Sequence, residues 1–248
     1  MNVGRAGDPA RRSGRAGGYP GGVILGIDTS LGTAVALVDP DGVVRAEVAS
    51  DNPLGHAEVI GDLLVQATDA AASTAAHRSG LSASGDDPIT HVAAGMGPGP
   101  FTGLRIGIAA ARTFALARGI PVVPVPSHDA IALGVLLAAE MEGAEAGRFA
   151  VVTDARRKEF AYTVYRGLDD DGLPVRATEP ALVPRGQLDE RLGELDAARV
   201  EATTVSAALL AVAAARAVAA GRTLATAEPL YLRSPDVTVG HTPKRVST

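Results

Sequence analysis

The stretch GMGPGPFTGLRIG, residues 95–107, holds five glycines and two prolines in thirteen positions. It follows the apolar run ITHVAAGM and precedes an alanine-rich segment. A strand that enters a glycine turn and leaves as a helix is a unit of α/β folds. Pro98 and Pro100 stiffen the turn, its glycines let it bend, and Thr102 is expected to cap a helix running from about 102 to 118 and ending at Gly119. In that helix Gly103, Gly107, Ala111 and Ala115 recur every four residues. Such a stripe of small residues lets another backbone approach at the low end of the roughly 8–10 Å helix spacing.

Outward from this loop the pattern is regular. VILGIDTS, TAVALVDPDG and VVRAEVAS, residues 23–50, predict three short strands with a tight turn at PDG. In HAEVIGDLLVQATDAA, from 56 to 71, Val59, Ile60, Leu63, Leu64 and Ala67 share one helical face, and Glu58, Asp62 and Asp69 the other. A polar loop at about 78–88 leads into the strand before the glycine loop. PVVPVP then predicts a strand, and SHDAIALGVLLAAEME, from 127 to 142, a helix with Ser127 as its cap. The order then begins again. FAVVTDA, KEFAYTVYRG and PVRATEPALV predict three strands, followed by helices in QLDERLGEL and TTVSAALLAVAAARAVAAG. Two successive β-β-β-α units outline a duplicated two-lobed α/β fold.

Composition excludes several classes. The chain has 248 residues, 46% of them hydrophobic, and no cysteine, so disulfides and thiolate metal sites are out. No stretch reaches the roughly 18–20 apolar residues of a membrane span. The first twenty residues hold no apolar signal core, and SGRAGGYPGG follows the twin arginines 11 and 12, so a cytoplasmic location is expected. Residues 1–22 carry Arg5, Arg11, Arg12 and Arg15 against Asp8, a net of +3; with −5 for the whole chain, the remainder stands at −8. An acidic body is poorly suited to gripping a phosphate backbone alone.

Together, IDTS at 27–30, GMGPGPFTGLRIG, PVVPVPSHDAIA, VVTDARRKEFAYTVY and the late EPLYLRSPDV resemble the TsaB family, the bacterial accessory subunits for threonylcarbamoyladenosine modification of tRNA. The matches run in order from 23 to 237. The resemblance implies an actin-like (ribonuclease H-like) two-lobed ATPase fold, each lobe a mixed sheet with helices. It implies an N-terminal lobe (22–125) and a second lobe (126–237) whose late helix returns to the first, while the Gly, Arg and Pro of residues 1–21, with almost nothing apolar, read as a disordered basic tail and residues 238–248 as a second disordered tail. It also implies a non-catalytic role beside a TsaD-like catalytic subunit and a TsaE-like ATPase, a homodimer when alone, and tRNA contact only through the complex. No membrane is involved. The family's helical interface places Glu58, Asp62, Leu63, Gly103, Leu104, Arg105, Gly107, Ile108, Ala111 and Arg112 at the partner surface.

The residues can be weighed against the chemistry of such a fold. Asp28, Thr29 and Ser30 follow the first strand, where a carboxylate orients a metal and hydroxyls meet phosphate, or where the same groups merely bond to turn amides. With Gly97 and Gly99 they form the expected vestigial nucleotide site. The second phosphate loop reads TDARRKEF, with Ala155, Arg156 and Arg157 where a close backbone cradle needs glycine, so these arginines read as a partner contact. The adenosine loop should hold a glycine pair, yet ELDAARVEATTVS, from 194 to 206, has none, and the family's Gly-Asp-Gly stretch is missing. Histidines 56, 77, 91, 128 and 241 include no pair four apart, the spacing with which a TsaD-like subunit holds metal. Neither a catalytic residue nor a metal ligand is therefore expected. No cofactor is required by this subunit, and adenine nucleotide, ATP or ADP, is expected at most weakly at a shared interface. An active ATPase or kinase of the same fold is the alternative, and a metallopeptidase a lesser one.

Overall fold

Two sheets share one strand plan. The computed structural model describes residues 22–50, 52, 55–79 (backbone alone for 75–79) and 88–233. The terminal tails expected at 1–21 and 238–248, and all but the ends of the polar loop expected at 78–88, lie outside the described residues. The first half comprises β1 (Val23–Asp28), β2 (Thr33–Val38), β3 (Val44–Ser50), α1 (His56–Ser79), β4 (Ile89–Gly95), α2 (Phe101–Arg118), β5 (Val122–Val125) and α3 (Ser127–Met141). The second comprises β6 (Phe149–Asp154), β7 (Glu159–Leu168), β8 (Pro174–Arg176), β9 (Ala181–Pro184), α4 (Leu188–Glu194), β10 (Ala198–Glu201) and α5 (Ala207–Ala219).

The first sheet has the order β3-β2-β1-β4-β5, with β1 antiparallel to β2 and parallel to β4. In the second, β6 is antiparallel to β7 and parallel to β10, in the order β10-β6-β7-β8, and β9 also pairs with β7. Thus β6, β7 and β10 repeat the roles of β1, β2 and β4. The single strand expected over 174–183 is two, because the chain leaves the ladder at Ala177–Pro180 and re-enters along β7. β10 was not expected: a four-residue strand with mostly exposed side chains carries no apolar alternation to find.

Because β1 is buried on both faces, it reads as a continuous apolar run. Val23, Leu25 and Ile27 face α1 and α2, and Ile24 faces α3 and α5. On α1, Ile60, Leu63 and Ala67 point inward while Glu58, Asp62 and Asp69 are exposed, as the helical periodicity requires. α5 returns from the second half to pack on β1 and β2, and Gly26 permits it: a Cβ there would overlap the carbonyl of Ala207. The Ser206 hydroxyl caps α5 by accepting from Leu209 N–H (3.1 Å) and donates to Glu47 (2.8 Å), tying the helix to β3. α3 and α5 form the layer between the sheets. Asp129 of α3 receives Tyr165 OH (2.7 Å) and both ends of the Arg176 guanidinium (2.8 and 2.5 Å), which anchors α3 to the second sheet.

Two helix starts differ from expectation. α2 begins at Phe101 after Pro100, and α3 at Ser127 after Pro126, and neither has a side-chain cap. A proline pre-set in extended geometry starts each helix, leaving Thr102 exposed and Ser127 available for another task.

Candidate functional site: the cleft at the glycine loop

Where β1, the β4–α2 loop and the start of α3 converge, the chain closes a small polar knot. Asp28 is 2% exposed. Its Oδ1 accepts from Ser30 N–H (2.7 Å) and from the Ser30 hydroxyl, and its Oδ2 accepts from Ser127 Oγ (2.6 Å). Ser127 Oγ in turn accepts from Gly97 N–H (3.1 Å), while Ser127 N–H donates to Gly97 O (2.7 Å). Thr29 Oγ1 donates to Gly103 O (2.8 Å). Gly97 adopts φ 94°, a left-handed conformation. Gly99 is required by proximity, because a Cβ there would lie 2.7 Å from Ser30 Cβ. The five residues expected as a vestigial nucleotide site, Asp28, Thr29, Ser30, Gly97 and Gly99, therefore do come together, but with their polar groups turned on one another. A metal-bound phosphate does not fit this arrangement, since both Asp28 oxygens are already used and the carboxylate is out of reach of solvent.

Burial raises the Asp28 pKa above its ordinary 3.8, offset in part by the hydrogen bonds from Ser127 and Ser30 and by the nearby His56. The folded state then holds the proton more tightly than the unfolded chain. Stability from this group is fully present below pH 3.8 and is lost as pH rises through the raised folded value. Replacing Asp28 with asparagine should flatten the pH dependence of stability across that window, read by urea melts at a series of pH values. An unchanged slope would assign the dependence to other groups.

Beside this knot lies a cleft of about 620 Å³. It is lined by residues 98–103 with Ile106, by Thr153–Arg157 with Leu182, and by Leu230–Arg233. Arg156, Arg157 and Lys158 are exposed and adopt φ of 62°, 50° and 62°, so three side chains stand where a phosphate loop would carry glycine. The turn is held by Arg156 N–H donating to Asp154 (2.8 Å) and by Arg185 paired with Asp154 (2.8 Å).

His56 and His128 are packing residues here. His56 is buried, with Nδ1 2.8 Å from Thr33 Oγ1. His128 has Thr163 Oγ1 and Thr153 Oγ1 each 2.9 Å from a ring nitrogen, and burial, with a smaller contribution from Arg176, holds its pKa down at about 3, so the ring is neutral. Among the described residues no group of three or more His, Asp or Glu is arranged to hold a metal; His241 and the His77 side chain lie outside them.

The expected partner surface divides. Leu63, Leu104, Ile108 and Ala111 are buried in this chain's own core. Gly103 and Gly107 are buried too, and the backbone their small size admits is that of Thr29: a Cβ at 103 would sit 2.7 Å from Thr29 O, and one at 107 would overlap the Thr29 hydroxyl. The stripe faces inward because β1 ends under α2. Glu58, Asp62, Arg105 and Arg112 are exposed, along with Val65 and Leu116, 59% and 84% exposed. Arg105 stacks over Phe101 (3.7 Å) and donates to Tyr231 OH (3.0 Å), and Arg112 donates to Ala227 O.

These last contacts belong to a strap absent from the sequence reading. After α5 the chain runs back over α2, with Leu230 N–H donating to Met96 O (2.8 Å) and Tyr231 packed on Phe101 (4.7 Å between rings). Arg233 then pairs with Glu159 of β7. The aromatic and arginine in PLYLR were the available signal.

Two sheets of one plan, sandwiching helices and flanking a cleft beside the β1 turn, define a protein of the actin-like ATPase superfamily. A family model described as TsaD: tRNA N6-adenosine threonylcarbamoyltransferase matches residues 56–183. A Mycobacterium tuberculosis protein, Rv3421c, is 35% identical over 221 residues, covering 86% of this chain and 92% of that one. Among solved structures, YeaZ from Pseudomonas aeruginosa aligns with a TM-score of 0.61 at 26% identity, over 85% of this chain and all of that one. A further Pseudomonas aeruginosa structure, described as similar to peptidase YEAZ, aligns at 0.60 and 26%, over 86% of this chain and all of that one. The chain belongs to the TsaD family, as a TsaB-like (YeaZ-like) member.

Proposed function

We propose that this chain is a non-catalytic accessory subunit that supports threonylcarbamoyl transfer to N6 of adenosine 37 in tRNA by binding a TsaD-like catalytic subunit. One observation carries the non-catalytic part: the Asp28 carboxylate is spent inside the fold on Ser30 and Ser127. Arg156 and Arg157 in the second loop support it, since side chains there keep a phosphate from the backbone. On this reading the two lobes are residues 22–125 and 126–237, and the exposed side of α1 and α2 meets the catalytic subunit, or a second copy when the chain is alone. The subunit needs no cofactor of its own, binds ATP or ADP at most weakly across the shared interface, and works in the cytoplasm beside a TsaE-like ATPase, reaching tRNA through the complex. No helix of the described residues is long and apolar enough to cross a membrane.

The test is co-purification of the tagged chain with its cognate TsaD-like subunit, followed by a transfer assay with tRNA. Capture of that subunit, with no transfer by the chain alone, is the expected result. Transfer by the purified chain alone, or ATP turnover abolished by Asp28→Ala, would overturn the reading in favour of an active enzyme.

A further inference from the structure

Thr102, Arg105, Ala109, Arg112 and Leu116 recur at alternate steps of three and four along α2 and are all exposed, so they form its outward face. The strap that follows α5 runs antiparallel beside this face and reaches both of its arginines. Ala227 O accepts from the Arg112 guanidinium, and four residues on, Tyr231 OH accepts from Arg105 Nε (3.0 Å). Arg105 also lies 3.7 Å from the Phe101 ring centroid, and Tyr231 packs on that ring at 4.7 Å. The spacings agree: the two helical turns from 105 to 112 rise about 11 Å, and four residues of extended chain reach at most about 14 Å. The strap is itself fixed at three points, by Arg176 donating to Leu224 O (3.2 Å), by Leu230 N–H donating to Met96 O (2.8 Å) and by the Arg233–Glu159 pair.

What holds these two guanidiniums leaves their charge in place. Arg176, Arg185 and Arg222 each sit on a carboxylate of this chain, whereas the contacts of Arg105 and Arg112 among the described residues are a phenol, a carbonyl and aromatic rings. A neutral acceptor orients a guanidinium without cancelling its charge, and takes one of its five N–H donors. The remaining donors suit a carboxylate, which a guanidinium binds through two parallel hydrogen bonds. We infer that the strap is a positioning element of the partner surface: it holds Arg105 through Tyr231 and Arg112 through the Ala227 carbonyl, so that both guanidiniums meet carboxylates of the TsaD-like subunit already oriented. This rests on the reading of the chain as the partner of that subunit. It carries the partner surface beyond the helices to residues 126 and 115 positions away from the arginines they hold. Long side chains lose rotamer freedom on binding, and ordering them beforehand reduces that loss.

The test is a double-mutant cycle on the affinity of the full chain for its cognate TsaD-like subunit, with wild type, Tyr231→Phe, Arg105→Gln and the double variant. Tyr231→Phe keeps the ring on Phe101 and removes only the hydroxyl, so it should melt with the wild type. Its binding should weaken about threefold to tenfold, the range expected when one interface side chain must be ordered on association. In the Arg105→Gln chain the same change should alter affinity by less than about twofold, because the group that Tyr231 orients is gone. Arg105→Gln should also lose affinity less steeply than the wild type as NaCl is raised, since one charge pair has been removed. Wild-type affinity in Tyr231→Phe, an equal loss with and without Arg105, or an unchanged salt slope overturns the inference while the subunit reading stands. A wild-type chain that binds no TsaD-like subunit overturns both. Coupling seen in self-association and not in binding of that subunit overturns the inference as well, since the carboxylates then belong to a second copy.

Discussion

Arginine at position 107 is expected to unfold the chain rather than to detach a partner. Any Cβ at this position overlaps the Thr29 hydroxyl, and Thr29 is 1% exposed with its Oγ1 already bonded to Gly103 O. Thr29 belongs to the turn that ends a fully buried strand, so it has nowhere to move. Overpacking of this kind costs about 1–3 kcal/mol, and an uncompensated buried guanidinium adds several more. Against a typical total of about 5–15 kcal/mol the native state is lost. A circular dichroism melt of Gly107→Arg should show no cooperative transition near that of the wild type, whereas Leu116→Glu, on the exposed side of the same helix, should melt normally. A well-folded Gly107→Arg chain would mean that α2 does not sit on Thr29.

Reversing the exposed acidic pair on α1 should have the opposite profile. Glu58 and Asp62 stand one turn apart on the outward side of α1, with the exposed Val65 nearby. The double variant Glu58→Lys, Asp62→Lys changes the local charge by four units without entering the core. Surface substitutions usually stay within about 0.5 kcal/mol, and loss of Glu58 from the first helical turn adds about 0.3–1 kcal/mol. The melting transition should therefore survive. Capture of the cognate TsaD-like subunit should weaken at least about tenfold, equivalent to about 1.4 kcal/mol of binding. Undiminished capture would move the partner surface off this side of the helices.

The two variants mark where sequence reading succeeds and where it stops. Helical periodicity separated Glu58, Asp62 and Asp69 from Ile60, Leu63 and Ala67, because a 3.6-residue period is a property of the chain alone. Gly119, with φ 65° and its amide bonded back to Leu116 O (3.3 Å), ends α2 where glycine was read as a stop. The repeated strand order was visible for the same reason. The glycine stripe was not resolvable in this way: spacing says that some backbone comes close, and only the fold says that it is Thr29. Ser127 likewise offered a hydroxyl at a helix start, and the partner that claimed it, Asp28, is 99 residues away. Long-range pairings of this sort leave no local trace, and neither does a short exposed strand such as Ala198–Glu201.

The strap after α5 also gives the molecule a mechanical direction. Its ties to Met96, Arg105, Arg112 and Glu159 are spaced along the segment and engage one after another. A force drawn outward at the C-terminal end loads them singly, from the Arg233–Glu159 pair inward, so the segment peels at low tension.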